Sequence, residues 1–211
     1  MSKLQEISTA IETGKKKIIK GLVEEALANG IAPLEILNQG MINAMGIVGE
    51  KFKANEIFVP EMLIAARAMK EGVEALKPHL AGNKAAINGK FIIGTVQGDL
   101  HDIGKNLVAM MVESAGYEVI DLGVDVSKEK FIEAIKENPD CKLIGLSALL
   151  TTTMPAMKFL VAAITEAGLR DQVKIMVGGA PISQEFADSI GADAFAADAA
   201  SAAAIAKSFV A

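Results

Sequence analysis

Two histidines and one cysteine are the only imidazole and thiol groups among the 211 residues. His101 stands in the densest chemistry of the chain, Gly94-Thr95-Val96-Gln97-Gly98-Asp99-Leu100-His101-Asp102-Ile103-Gly104-Lys105-Asn106, where carboxylates flank the ring on both sides. Two later segments also carry small and polar residues: Gly145-Leu146-Ser147-Ala148-Leu149-Leu150-Thr151-Thr152-Thr153 and Gly178-Gly179-Ala180-Pro181. Familiar chemistries fit these segments poorly. A dinucleotide site needs G-x-G-x-x-G after its first strand, and a P-loop needs G-x-x-x-x-G-K-[ST]; neither is present. Ser147 could pair with His101, but a nucleophile elbow reads G-x-S-x-G and here Ala-Leu-Leu follows the serine. A metal held only by protein needs more His and Cys than this chain has. One histidine beside acids suits a metal that arrives already chelated in an organic ring.

The elements that must position these residues fall into two halves. From Leu4 to about Leu80 the apolar residues recur at three and four, as in Ile18, Leu22 and Ala26, then Ile36, Met41, Met45 and Val48. Breaks near Gly14, at Asn29-Gly30 with Pro33 beyond, at Ala54-Asn55 and at Pro78 divide this half into a four-helix bundle. Pro60 suits a first helical turn, so the fourth helix is expected from Val59 to about Leu76. The stretch from Ala81 to Gly89 is small, polar and turn-prone, and a boundary there gives domains of 1–84 and 85–211. Beyond it the period changes. Strands are expected at Phe91 to Val96, Glu118 to Leu122, Leu143 to Ser147, Lys174 to Val177 and Ala194 to Ala196. Helices are expected at Lys105 to Ala115, Lys128 to Glu137, Pro155 to Ala167, Gln184 to Ile190 and Ala199 to Val210. Such alternation implies an α/β fold with a Rossmann-like, flavodoxin-like doubly wound parallel sheet. Ligands of such sheets bind beyond the carboxyl ends of the strands, where all three polar segments fall.

Composition narrows the function further. A net charge of -5 argues against nucleic acid, which needs concentrated Lys and Arg. The cluster Lys15, Lys16, Lys17 and Lys20 reads as the solvated face of a helix. No run of about 18 apolar residues suggests a membrane span. The single cysteine excludes an internal disulfide, no secretory leader precedes the fold, and a cytoplasmic location is expected. Aromatics make up only 4% while Ala, Gly and Met are plentiful, a composition suited to a slot that backbone lines closely.

Asp99-x-His101-x-x-Gly104, then Ser147-x-Leu149, then Gly178-Gly179, resembles the signature of cobalamin-binding domains: those of methionine synthase, base-off mutases, and the corrinoid proteins of methanogens and acetogens. Gly123-Val124-Asp125-Val126, the run Ser147 to Met154, Val177 to Pro181 and the helical first half are similar to the methyltransferase corrinoid proteins in particular. The resemblance covers nearly the whole chain. It implies a cobalamin or related corrinoid bound base-off and His-on, with His101 as the lower axial ligand of cobalt. Asp99 would accept a hydrogen bond from the second ring nitrogen and contact Ser147 in turn. Asp102 and Ile103 would adjoin the ring, and Gly104 would let the backbone approach it. Ser147, Leu149, Gly178 and Gly179 would line a slot for the displaced nucleotide tail, with Thr151 and Thr152 as hydrogen-bonding partners. The helical half would act as a cap, with Phe52 and Val59 shielding the upper ligand position on either side of the Asn55-Glu56 turn.

The function implied is that of a methyl carrier. It would receive a methyl group on cobalt from a substrate-specific methyltransferase and pass it to a second methyltransferase, whose acceptor is tetrahydrofolate or a thiol, while a reductive activase rescues oxidised cobalt. A cobalamin sensor is the alternative, disfavoured by the acidic charge and by the absence of the tryptophan such sensors use. A mutase subunit would not need the bundle. Structural readings stand beside these: an isolated loop histidine is more often a solvent contact, His79 is an exposed linker residue, and Asp102 can simply favour a helix N-terminus. Phe52 and Val59 could be bundle core, and Met41, Met45, Met62 and Met69 read as packing.

Overall fold

A computed structural model describes residues 2–80 and 88–209. Compact packing divides the chain into two units, one helical through Leu80 and one carrying the sheet from Asn88. The expected boundary between residues 84 and 85 lies outside the described residues.

The helical unit opens with α1 (Lys3–Glu12), whose start is fixed by a capping box. The Ser2 hydroxyl accepts from the Gln5 amide at 3.2 Å, and the Gln5 side chain accepts from the Ser2 amide at 3.0 Å. Next comes α2 (Lys16–Ala28), entered through Gly14, whose φ of +65° suits glycine alone because a β-carbon there would overlap Ile64. The third helical stretch joins three pieces without a break: α3 (Pro33–Glu35), a π-helical segment (Ile36–Ile42) and α4 (Asn43–Lys53). The periodicity did not disclose the π segment. Its wide turn brings Gly40 against α1, where a β-carbon would sit 3.3 Å from Ile7. Asn55 ends the stretch with a left-handed φ of 58°, and α5 follows (Val59–Leu80). Pro78 does not break α5, contrary to expectation. It falls in the final turn, where its missing amide costs a single intrahelical bond and two more residues complete the helix. Ile7, Ile11, Ile19, Val23, Met41 and Met62 are fully buried between these helices, and Met45 and Met69 nearly so, so the methionines do pack.

The second unit is a five-stranded, wholly parallel sheet in the order β2-β1-β3-β4-β5. Its strands are β1 (Lys90–Thr95), β2 (Glu118–Asp121), β3 (Leu143–Ser147), β4 (Lys174–Gly178) and β5 (Ala194–Ala196). The helices α6 (Ile103–Ser114), α7 (Lys128–Glu137), α8 (Met154–Glu166), α9 (Gln184–Ile190) and α10 (Ala199–Ser208) alternate with them. This is the flavodoxin-like order. Alternate strand residues Ile92, Val96, Ile144, Leu146, Ile175 and Val177 pack in one buried cluster with Phe131, Ile135, Met157, Leu160, Ile164 and Ile190 of α7, α8 and α9. The opposite parity buries Phe91, Ile93, Leu143 and Met176. The alanine-rich α10 buries Ala202, Ala203 and Ala206, and the Tyr117 hydroxyl donates to the Ala206 carbonyl at 2.6 Å.

Strand order decides where a ligand can enter. β1 and β3 are neighbours, yet the chain leaves β1 toward β2 and leaves β3 toward β4. Their carboxyl ends therefore open a crevice between two diverging connections, and His101 lies in one of them. Among the described residues no helix is long and apolar enough to cross a membrane.

Candidate functional site

Asp99 is the hub of the crevice. It has no solvent exposure, and every donor to its carboxylate comes from the loops after β1 and β3. Its Oδ1 accepts from the His101 ring Nδ1 at 2.7 Å and from the His101 amide at 3.1 Å. Its Oδ2 accepts from the Leu149 amide at 2.7 Å, the Leu150 amide at 3.3 Å and the Thr153 hydroxyl at 2.7 Å. Burial opposes its ionisation, but the donors from Leu149, Thr153 and His101 prevail and hold the carboxyl well below the usual carboxylate range. An ionised carboxylate can only accept, so Nδ1 carries a ring proton, and in the neutral ring the lone pair then lies on Nε2. The His101 side chain is half exposed. Its backbone is pinned from below, where the buried Thr95 hydroxyl donates to the His101 carbonyl at 2.9 Å.

One expected contact is corrected. Asp99 bonds Thr153 and not Ser147: the carboxylate points toward the start of α8, whereas Ser147 is held in the β3 ladder, paired with Thr95 on one side and Gly178 on the other. Thr153 precedes α8 at the N-cap position but makes no side-chain cap bond; its hydroxyl goes to Asp99 instead. Thr151 and Thr152 are exposed.

The surroundings of the imidazole are apolar and open to solvent. Leu100 is 71% exposed, Ile103 79%, Leu149 42% and Leu150 40%, an unusual grouping for large aliphatic side chains on the same two loops. Asp102 is exposed and accepts from the Asn106 side chain at 3.1 Å. A β-carbon on Gly104 would meet nothing within 4 Å, so no protein atom demands glycine there and the space is open to a ligand. Register places Thr95, Ser147, Gly178 and Ala196 in one row across the ends of β1, β3, β4 and β5, and all four are small. Gly179 serves a different end. With φ at +131°, its missing side chain lets the backbone lie against Ala148, whose carbonyl oxygen a β-carbon would overlap. That contact locks the loop after β4 to the loop after β3.

Thus Asp99, His101 and Leu149 are joined by hydrogen bonds, Ser147 and Gly178 by strand pairing, and Gly179 to the same loop by close approach. Asp102, Ile103 and Gly104 follow His101 into the first turn of α6. Phe52 and Val59 belong to the helical unit, where both are half-buried, at the end of α4 and the start of α5. Phe58 beside them is 64% exposed and went unnoticed in the sequence. Thr153, Thr95 and Leu150 were also missed; a threonine directly before the Met-Pro start of a helix was the available signal for Thr153.

Among the described residues no group of three or more His, Cys, Asp or Glu could hold a metal ion. A single imidazole aimed among exposed aliphatic side chains therefore fits a metal that brings its own equatorial ligands in a flat apolar ring, with a row of small residues nearby for an appendage. Fold and site define a corrinoid-binding protein of the flavodoxin-like class. Residues 89–206 match the family described as B12 binding domain, and residues 3–77 match a second family of the same description. The chain belongs to the B12-binding corrinoid-protein family and binds a corrinoid. It is 45% identical to the dimethylamine corrinoid protein 1 of Methanosarcina acetivorans over 99% of this chain and 97% of that one. It is 44% identical to trimethylamine corrinoid protein 1 of the same organism over 88% and 87%. Among solved structures, a cobalamin-binding protein from Desulfitobacterium hafniense superposes with a TM-score of 0.84 at 31% identity, covering 99% of this chain and 98% of that one. The methanol:cobalamin methyltransferase complex of Methanosarcina barkeri contains a chain matched with a TM-score of 0.86 at 29% identity, over 99% of this chain and 79% of that one.

Proposed function

We propose that this chain is a methyl carrier that binds its corrinoid base-off and His-on, with His101 as the lower axial ligand. The observation that carries this reading is the 2.7 Å bond from His101 Nδ1 to a fully buried carboxylate, which leaves Nε2 as the ring's only available donor atom. When bound, the corrinoid supplies a cobalt centre able to take up and release a methyl group. The residues of this chain do the rest. Asp99 holds the imidazole proton at Nδ1 and so keeps Nε2 basic and oriented. Because Asp99 is fixed by five hydrogen bonds, the ring keeps its direction whether or not Nε2 is engaged. Leu100, Ile103, Leu149 and Leu150, with Asp102 at the rim and Gly104 leaving room, exclude water from the lower face. Ser147 and Gly178 make space for the displaced tail, Gly179 secures that wall, and Thr151 and Thr152 offer it exposed hydroxyls. Phe52 and Val59 of the helical unit shield the upper ligand position, a role suited to a residue pair on either side of a turn.

As a carrier the chain exchanges its methyl group between a substrate-specific methyltransferase and a second methyltransferase, with a reductive activase restoring oxidised cobalt, all in the cytoplasm. Likeness to dimethylamine and trimethylamine corrinoid proteins puts a methylamine first among donors and favours a carrier over a sensor. The test is His101→Ala. The variant is expected to retain corrinoid through the tail contacts while its visible spectrum shifts to that of a cobalt without an imidazole ligand. An unchanged spectrum would remove His101 from the metal.

A further inference from the structure

The turn that carries Asp99 is held from a second direction, by the connection between β2 and α7. The Gly123 carbonyl accepts from the Thr95 amide at 3.0 Å, and the Val126 amide donates to the Thr95 carbonyl at 3.0 Å. Between them, Asp125 grips the turn twice: its amide donates to the Asp99 carbonyl at 2.9 Å, and its Oδ1 accepts from the Gly98 amide at 2.7 Å. Gly98 sits at φ +85° and the Asp99 amide closes the turn onto the Val96 carbonyl at 3.1 Å. Asp125 itself adopts φ 51°, a left-handed conformation that costs a side chain energy and persists where surrounding bonds enforce it. The β2 end of this connection is anchored in turn. Asp121 accepts from the Gly123 amide at 2.9 Å and from the buried Lys105 ammonium at 2.5 Å, and Lys105 lies in the first turn of α6, the helix that follows His101.

We infer that Asp125 is a positioning residue for the axial histidine. It grips the Gly98–Asp99 turn by the backbone while Leu149, Leu150 and Thr153 hold the Asp99 carboxylate, so two loops together fix the atom that aims the His101 ring. Neither clamp suffices alone. With the β3 side only, the Asp99 side chain keeps its donors but the backbone beneath it can shift, and the imidazole swings with it. The inference rests on His101 as the cobalt ligand and adds that the balance between bound and released imidazole is set partly from the β2–α7 connection.

Three substitutions separate the hydrogen bond from the backbone strain. Asp125→Gly relieves the positive φ but removes the acceptor for Gly98. Asp125→Asn tolerates the same φ and keeps a side-chain oxygen that can accept. Asp125→Ala loses both. In corrinoid-loaded protein, with the His-on fraction of divalent cobalt read from the visible and paramagnetic resonance spectra, Asp125→Gly and Asp125→Ala are expected to lower the His-on to His-off ratio about fivefold to tenfold, the worth of one such bond. Asp125→Asn is expected to stay within about twofold of the parent, a margin small beside the worth of that bond. A parent-like ratio in Asp125→Gly, or an equal loss in Asp125→Asn and Asp125→Gly, overturns the proposal. His101→Ala run beside them distinguishes the two ideas: if it matches the parent spectrum, axial ligation fails, whereas a shifted His101→Ala with a parent-like Asp125→Gly sinks only the role of Asp125.

Discussion

A buried carboxylate with five donors is a rigid reference point, and its direct donors can be ranked by what each leaves behind. Thr153→Val removes a hydroxyl from a fully buried, ionised oxygen, and a loss of about 1–3 kcal/mol in unfolding free energy is expected in urea titration. Ser147→Ala touches no bond to Asp99 and is expected to change stability little. Were the two losses equal, the hub described above would be wrong. The Asp99–His101 pair was legible in the sequence through the resemblance carried by Asp99-x-His101-x-x-Gly104, and a 2.7 Å bond joins the two. The exchange of Ser147 for Thr153 was not. In Thr151-Thr152-Thr153 all three residues have the same chemistry, and only the turn into α8 decides which one is buried. Asp125 was noticed for its resemblance alone, since a loop residue's grip on another loop leaves no periodic trace.

Each loop of the site stays in place because of the strand and helix behind it. At the end of β4, Gly179→Ala would drive a β-carbon into the Ala148 carbonyl in a backbone conformation already costly for alanine, and a loss of about 2–4 kcal/mol with weakened corrinoid retention is expected. Unchanged thermal unfolding and retention would show that the β3 and β4 loops are not locked together there. At the base of the same strand, Asp193 accepts from the Ile175 amide at 2.8 Å, from Arg170 at 2.8 Å and from Lys174 at 3.1 Å. Burial opposes its charge, but the Ile175 amide and the two cations hold its carboxyl below the ordinary value. Since the folded form binds the proton more weakly than the unfolded chain, Asp193 stabilises the sheet fully above the ordinary aspartate value of about 4 and loses that contribution as pH falls through its lowered one. Asp193→Asn is therefore expected to lower stability at neutral pH and flatten the acid limb of the unfolding profile; an acid limb of parent slope would exclude this. Most elements were readable: α7, β3, α9 and β5 fall where hydrophobic period and turn residues put them. The π-helical segment was hidden because a wide turn shifts the apolar spacing by one residue, which looks like ordinary scatter. Pro78 misled because a proline interior to a helix and one in its last turn read alike until the end of the helix is known.

At the scale of the whole molecule, the parallel sheet supplies a switch point whose loops converge on one imidazole. On the proposed carrier reading, purified protein loaded with corrinoid and given a methylamine and a thiol is expected to show no methyl transfer until methyltransferases are added. Transfer by the isolated chain would make it an enzyme in its own right. The central claim, that one protein nitrogen reaches the cobalt, has a direct test because the chain has only two histidines, His79 and His101. Protein carrying nitrogen-15 in its histidines, loaded with corrinoid and reduced to divalent cobalt, is expected to show a two-line axial nitrogen splitting in its paramagnetic resonance spectrum. The unlabelled protein should show three lines, and His101→Ala should lose the label dependence. A splitting indifferent to the label would mean that the cofactor's own base remains on the metal, and would contradict the account.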